Sequence, residues 1–247
     1  MQAGLAGAVV TTFLLAKPVL VRYFPRISNA ERVTSDMLGG KTWLKGFVTR
    51  VGDSDNFRLY HTPGFGWKWF RRIPADQANL VGETIHIRMA GMYRRARAFA
   101  GRDPQTGAKE GLAWLKKRIE GKFVHCQLFE RDHYGRIIAA VHLKPRFVPC
   151  FLFTGTNVAA ETSLSLKMLR AGLATVYEQQ GAVYGHYGLS QFKMAEKEAQ
   201  RHKRGIWKNG INIETPAQFK RRVRDTQVTD RESVSPAPST DDTIRRS

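Results

Sequence analysis

The sequence predicts an α+β fold: a five-stranded OB-fold β-barrel with added helices, preceded by one N-terminal membrane helix. Three observations support this prediction. Five short segments alternate apolar and polar residues from Trp43 onwards, as half-buried strands do. A helical pattern separates the third strand from the fourth, and two more follow the fifth, which is the order of a small barrel with added helices. The length of 247 residues suits one domain with appendages.

The N-terminus predicts a single-pass membrane anchor at residues 1–26. Residues 3–21 are mostly apolar but are interrupted by Lys17 and Pro18. A spanning helix needs about 20 apolar residues, so Lys17 would have to extend its amine towards the lipid headgroups. Basic residues follow the stretch rather than precede it, unlike a secretory signal. A cleaved targeting segment and a buried first helix remain as alternatives.

Three further regions follow the apolar stretch. Residues 27–42 are predicted to be a linker, residues 43–215 the barrel domain, and residues 216–247 a polar, disordered tail. The predicted strands are WLKGFVTRVG, NFRLYHT, TIHIRMA, FVHCQLFE and IIAAVHL, the last two joined by the turn RDHYGR. The predicted helices are AKEGLAWLKKRIEG, ETSLSLKMLRAGLATVYE, with Leu164, Met168 and Leu169 facing inwards, and GLSQFKMAEKEAQRHKRGIWK, ending at Gly205.

The charge balance indicates a polyanionic partner. The chain carries 40 Lys+Arg against 21 Asp+Glu, a net charge of +19. Such an excess favours nucleic acid or an anionic membrane surface as a partner, although soluble basic and mitochondrial proteins share it. Cys126 and Cys150 provide neither a disulfide framework nor a zinc site, so both are predicted to be buried free thiols.

Arg88, near the end of the third strand, is a candidate phosphate-binding residue. An arginine-rich stretch at 93–97 follows it, with no acidic residue before Asp103. Guanidinium groups bind phosphate in a two-pronged geometry, although an isolated strand arginine is usually just solvated.

Several linked motifs together resemble the thermonuclease (staphylococcal nuclease) family. Within it, the chain is most similar to the fungal membrane-anchored endonucleases of the long chronological lifespan type. The resemblance covers roughly residues 43–215 and is carried by RVGDSDNFRLYHTPG, GWKWFRRIP, ETIHIRMAG, GLAWLKKRIEGKFVHCQLFERDHYGRIIAAVHL and MLRAGLATVYE with AEKEAQRHKRGIW. It implies an OB-fold barrel that hydrolyses DNA and RNA phosphodiester bonds with Ca²⁺, and a mitochondrial membrane location.

The resemblance also assigns roles to individual residues. The two catalytic arginines of the family match Arg88 and Arg136, and the first metal-binding aspartate matches Asp55. The family's DGD turn reads DSD here, so Ser54 would carry strain if that position needs φ > 0. Tyr134 is a candidate for stacking on a base or bonding a phosphate, or is simply a turn tyrosine.

Two carboxylates of the family pattern are absent. After the strand the family reads AGVDAPE, with an aspartate for the metal and a glutamate that positions or deprotonates water. Counted without gaps from Arg88, these positions hold Tyr93 and Ala96. Loss of a general base typically costs 10²–10⁴-fold in rate. True divergence and a local reading-frame error at residues 92–100 are both compatible with the sequence.

Three functions follow as hypotheses. The first is a membrane-anchored, calcium-dependent endonuclease that is impaired by Tyr93 and Ala96. The second is a catalytically inactive OB-fold module that binds nucleic acid. The third is a structural membrane protein whose basic face lies on anionic lipid, with WKWFRR as an interfacial patch. The aromatic residues of that patch, Trp67, Trp69 and Phe70, are equally compatible with core or lid packing.

Overall fold

The computed structural model describes residues 24–64, 67, 71–93, 104–143, 162–179 and 181–208. The predicted anchor before residue 24, the predicted tail at 216–247 and the position of Ala96 lie outside these ranges. Within them, no helix is long and apolar enough to cross a membrane.

Five strands form a closed barrel, as predicted. They are β1 (Trp43–Val51), β2 (Asn56–His61), β3 (Ile85–Met89), β5 (Phe123–Arg131) and β6 (Ile137–Leu143), and the short strand β4 (Met92–Tyr93) lies outside the barrel. Their order around the barrel is β1-β2-β3-β6-β5. β3 pairs with β6 in parallel, while the other pairs are antiparallel.

Alternation in the sequence determines which side of each strand is buried. In β3, Ile85, Ile87 and Met89 are buried, while His86 and Arg88 between them are partly exposed. Successive strand side chains point to opposite faces, so an apolar set at every second position fills the barrel interior. The same alternation leaves the polar set of β3 on the outer surface.

Within the described ranges, four α-helices accompany the barrel: α1 (Ser35–Gly39), α2 (Pro104–Ile119), α3 (Leu164–Arg170) and α4 (Gly188–Arg201). The long helix α2 connects the third barrel strand to the fourth. Caps begin two of the helices: Thr34 Oγ1 accepts a hydrogen bond from Met37 N at α1, and Ser163 Oγ accepts one from Leu166 N at α3. The segment predicted as a linker therefore contains a short helix.

The helix predicted through residue 178 is shorter than expected. Its inward residues Leu164, Met168 and Leu169 are fully buried as predicted, but α3 ends at Arg170. Gly172 has φ +68°, and a Cβ built there would lie 2.2 Å from the carbonyl oxygen of Arg204. The chain needs this left-handed glycine to bring two backbones into contact, and that requirement outweighs the helical pattern.

A second, two-stranded sheet was not predicted. β4 pairs with β7 (Thr175–Val176) in antiparallel fashion. The backbone N–H of Tyr177 also donates to Gly91 O at 3.3 Å. This sheet brings the chain after α3 alongside the chain that leaves β3, and it places Tyr177 close to Arg88.

Candidate phosphate-binding site

Strand pairing brings the two predicted arginines to one edge of the barrel. β2 and β3 pair so that Asn56 lies opposite Arg88, directly after Asp55. The parallel pairing of β3 with β6 places Arg88 opposite Ile138, two residues after Arg136. Residues that are far apart in the sequence, in three separate motifs, therefore share one site.

The carboxylate of Asp132 lies between the two arginines. Its Oδ2 is 2.6 Å from Arg136 Nε and 4.0 Å from Arg88 Nη1. Its Oδ1 accepts hydrogen bonds from the backbone N–H groups of Tyr134 and Arg136, each at 2.9 Å. Only 4% of the Asp132 side chain is exposed, so this turn is built around one buried carboxylate.

The pKa of Asp132 reflects this environment. Burial acts to raise the pKa, but hydrogen bonds from the backbone and guanidinium of Arg136, its charge, and the N–H of Tyr134 together hold the pKa below its ordinary value. Asp132 is therefore ionised at neutral pH. It balances positive charge and orients the Arg136 side chain along the site.

Asp55 lies near a different nitrogen of Arg88 from the one that Asp132 approaches. Its Oδ2 lies 3.9 Å from Arg88 Nε, and its Oδ1 accepts a hydrogen bond from Asn56 Nδ2 at 3.2 Å. Asn56 Oδ1 is in turn 3.3 Å from His86 Nε2. Burial, followed by the charges of nearby arginines, lowers the pKa of His86 to about 4, so the imidazole is neutral at pH 7.

Ser54 does not carry the strain considered from the sequence. Among the described residues, the only non-glycine residues with positive φ are Lys41 and Lys203. Ser54 is instead buried, 2% exposed, and its Cβ lies 3.2 Å from the Cβ position built on Gly111 of α2. Its hydroxyl oxygen has no hydrogen-bond partner within the described ranges.

Ser54→Ala is therefore expected to stabilise the protein by about 1 kcal/mol, because it removes a buried hydroxyl that lacks a partner. Urea denaturation followed by circular dichroism measures the change in the free energy of unfolding. A loss of stability in Ser54→Ala would show that the hydroxyl is hydrogen-bonded in solution.

Two tyrosines flank the arginines. The Cζ atom of Arg136 lies 5.2 Å from the Tyr134 ring centroid, and that of Arg88 lies 5.6 Å from the Tyr177 ring centroid. Tyr134 is 73% exposed, which leaves its ring accessible to a base. The predicted role of Tyr134 stays a prediction.

The donor set does not fit a calcium ion well. Calcium takes six to eight oxygen ligands and usually more than one carboxylate. Asp55 and Asp132 each face a guanidinium group within 4.0 Å. Over the part of the chain that the structure describes, no group of three or more His, Cys, Asp or Glu side chains could hold a metal. Tyr93 contributes its backbone to β4, and nothing in its side-chain chemistry replaces a carboxylate.

Sequence analysis missed Asp132 and Tyr177. The spacing between Asp132 and Arg136 was a usable signal, because an acidic residue at the start of a tight turn often accepts backbone N–H groups within that turn. Tyr177 offered no comparable signal, since it approaches Arg88 only through the pairing of β4 with β7. The thiol of Cys126 is buried as predicted, and burial raises its pKa. Cys150 lies outside the described residues.

The closed five-stranded barrel therefore carries two arginines, two aspartates and two tyrosines at one edge. The family model described as "Staphylococcal nuclease homologue" matches residues 87–209. The chain belongs to this nuclease family.

Several similar proteins share the name "Probable endonuclease LCL3". The one from Schizophyllum commune is 52% identical over 204 residues, covering 81% of this chain and 68% of the relative. The one from Debaryomyces hansenii is 37% identical over 221 residues, and the one from Candida albicans is 35% identical over 222 residues. Both of these alignments cover 88% of each chain. The predicted resemblance is thereby confirmed.

Proposed function

We propose that this protein binds nucleic-acid phosphates through Arg88 and Arg136 and cleaves phosphodiester bonds weakly or not at all as the sequence stands. The observation that carries the proposal is the convergence of both guanidinium groups on the Asp132 carboxylate, 2.6 and 4.0 Å from its Oδ2. Two guanidinium groups that approach one point from neighbouring strands can hold the oxygens of one phosphate. Binding of this kind requires no metal.

Weak cleavage follows from the residue types at positions 93 and 96. Neither Tyr93 nor Ala96 supplies a carboxylate that could bind a cation or activate water. Arg94, Arg95 and Arg97 add positive charge, which repels a divalent cation. Calcium remains the cofactor that the family resemblance implies, with a weak site expected.

Arg88→Gln and Arg136→Gln should each weaken binding of a short single-stranded DNA by about tenfold, because each removes a charge-assisted phosphate contact. The slope of log affinity against log salt should also fall by roughly one unit per arginine. Fluorescence anisotropy in EGTA measures both quantities. Lys117→Gln on α2 is the matched control, since Lys117 is exposed. If the native protein, the two arginine variants and Lys117→Gln bind the DNA with equal affinity, the proposed phosphate site is contradicted.

The alternative function is an inactive nucleic-acid-binding module. The identities of Tyr93 and Ala96 favour it, while the assembled arginine pair fits both functions. Cleavage of DNA and RNA with Ca²⁺ and with EGTA separates the two. Calcium-dependent cleavage that is lost in Arg88→Gln supports the enzyme, and its absence together with salt-dependent binding supports the module.

We further propose that the protein is attached to a membrane, with a mitochondrial location, through its first 26 residues. The support is the apolar stretch at 3–21. Deletion of residues 3–22 should move the protein from the carbonate-resistant membrane pellet to the soluble fraction. A truncated protein that still resists carbonate extraction would place the membrane attachment elsewhere.

A further inference from the structure

The segment that follows the N-terminal stretch is fastened to the barrel. We call residues 24–33 the strap. The backbone N–H of Ile27 donates to His61 Nδ1 at 3.0 Å, at the end of β2. Arg26 donates through Nη1 to Glu83 O at 2.9 Å and forms an ion pair with the Glu83 carboxylate. The strap therefore holds the start of the domain against one end of the barrel.

A second clamp fixes the other end of the strap. Arg131, the last residue of β5, donates through Nη2 to Ala30 O at 2.8 Å and to Val33 O at 2.9 Å. Val33 itself is 2% exposed and belongs to the core. Contacts at both ends leave the strap little freedom to swing away from the barrel.

Cations and aromatic rings alternate beside the strap. The Arg26 Cζ atom lies 4.3 Å from the Tyr60 ring centroid, and the Tyr60 and Trp67 rings meet edge to face at 5.7 Å. The Arg71 Cζ atom lies 5.1 Å from the Trp67 ring centroid. We call Phe24, Arg26, Lys45, Tyr60, Trp67 and Arg71 the strap face.

The chain enters the domain through this face. Phe24, the first described residue, lies over Gly64: a Cβ built on Gly64 would be 3.0 Å from the Phe24 ring. Lys45 Nζ donates to Gly64 O at 2.7 Å, which brings a third cation to the same place. Ile27 is six residues beyond residue 21, a distance that an extended chain spans in at most about 20 Å. A membrane anchor formed by the apolar stretch would therefore keep the strap face within reach of the lipid headgroups.

The strap face carries an excess of positive charge. Arg26, Lys45 and Arg71 lie here, and Glu83 is the carboxylate that pairs with Arg26. Arg71 is 8% exposed, and its Nε and Nη2 atoms have no hydrogen-bond acceptor within the described ranges. Burial, followed by the charges of Arg26 and Lys45, lowers the pKa of His61 to about 4. His61 therefore adds no charge at neutral pH.

We propose that the strap face lies on the headgroups of an anionic lipid surface and contacts them through the exposed Phe24 and the partly exposed Arg26, Lys45 and Trp67, whereas Tyr60 and Arg71 are buried. Cations interleaved with Tyr and Trp are the composition of a membrane interface, and basic residues close to an anionic leaflet each contribute about 1 kcal/mol of attraction. The proposal rests on the membrane attachment proposed above, which would hold this face within reach of the headgroups. Nucleic acid is the competing polyanion, and the experiment below distinguishes it from lipid.

The placement leaves the phosphate site open to solution. β2 runs from Asn56, beside the arginine pair, to His61, at the strap face. Five residue steps along a strand cover about 17 Å, more than two Debye lengths at physiological salt. The two cationic surfaces are thus at opposite ends of one strand, and a substrate can reach the arginines while the strap face is on lipid.

Hydrogen–deuterium exchange of the full chain in lipid nanodiscs tests the proposal. Peptides covering 24–33 and 61–64 should exchange at least about fivefold more slowly in phosphatidylcholine discs with 30% phosphatidylserine than in pure phosphatidylcholine discs. This factor corresponds to about 1 kcal/mol, the contribution of one cation that binds the anionic headgroups. Lys45→Gln should lower this ratio towards one, and Lys45→Arg should preserve it. The double variant Lys116→Gln/Lys117→Gln on α2 is the control for loss of charge, because it removes one more positive charge than Lys45→Gln does.

The outcomes separate the possible explanations. Equal exchange in both discs, or an equal ratio in Lys45→Gln and the native chain, overturns the proposal. A Lys45→Gln change that leaves the ratio intact but weakens single-stranded DNA binding assigns the face to nucleic acid instead. Carbonate extraction of the full chain reports on the anchor separately, so a protein that is extracted contradicts the attachment without deciding what the strap face binds.

Discussion

Tyr93→Asp combined with Ala96→Glu is expected to raise calcium-dependent DNA cleavage by at least about 100-fold, the lower end of the contribution of a general base. The substitution supplies, after β3, the two carboxylates that the family pattern has at these positions. A second carboxylate also strengthens binding of a hard cation, which prefers several charged oxygen ligands. Initial rates on single-stranded DNA, with Ca²⁺ and with EGTA, measure the gain.

Two companion variants make this result specific. Tyr93→Asn with Ala96→Gln has a similar size but no charge, so it should stay at the starting rate. Arg88→Ala, added to the Tyr93→Asp/Ala96→Glu variant, should remove the gain in cleavage, because no guanidinium group at position 88 would then stabilise charge on the phosphate. An unmodified protein that already cuts DNA at a rate that Arg88→Ala leaves unchanged would contradict both the impairment and the site.

Asp132→Asn is expected to lower the free energy of unfolding by about 2 kcal/mol, the scale of a buried charge-assisted hydrogen bond left without its charged partner. The amide oxygen of the substituted side chain could still accept the backbone N–H groups of Tyr134 and Arg136, but the amide would not balance the guanidinium charges. Asp76→Asn is the matched control, since the exposed Asp76 also accepts a backbone N–H, that of Ala78. Urea denaturation at pH 7 compares the native protein with the two variants.

The pH dependence gives a second test of Asp132. Its pKa in the folded protein is below the ordinary value of 3.8, so the unfolded chain binds a proton first as the pH falls. The stabilisation is therefore complete above about pH 4 and is lost as the pH drops through the folded pKa. The difference between native protein and Asp132→Asn should shrink below pH 4. A difference that is constant from pH 7 to pH 3 would contradict an ion-pair role.

Local patterns were sufficient to predict the barrel. The alternation of apolar and polar residues in segments such as β3 indicates which side of a strand is buried, because the side-chain period of two is a property of the extended backbone itself. The order of strands and helices then left few ways to close the sheet. The family resemblance carried by the motifs around Asp55, Arg88 and Arg136 predicted the candidate site residues, since each motif is a short turn or strand end that remains recognisable on its own.

The length of α3 and the small second sheet could not be predicted in the same way. Residues 171–178 keep a helical pattern, but Gly172 must approach the backbone of Arg204. That contact joins residues 32 positions apart, and no local periodicity reports it. The pairing of Thr175 with Tyr93 has the same non-local origin.

By itself, the sequence determined the five-stranded barrel, the family and three of the residues that meet at the candidate site, Asp55, Arg88 and Arg136, because these depend on local periodicity and on short motifs. Only the tertiary structure decided that Asp132 is shared between Arg88 and Arg136, and that the strap is fastened to His61 and Arg131. These arrangements are contacts across the closed barrel. The Asp132–Arg88 contact depends on the pairing of β3 with β6, and the strap contacts depend on the packing of residues 24–33 against the ends of β2 and β5. No single stretch of sequence encodes either arrangement.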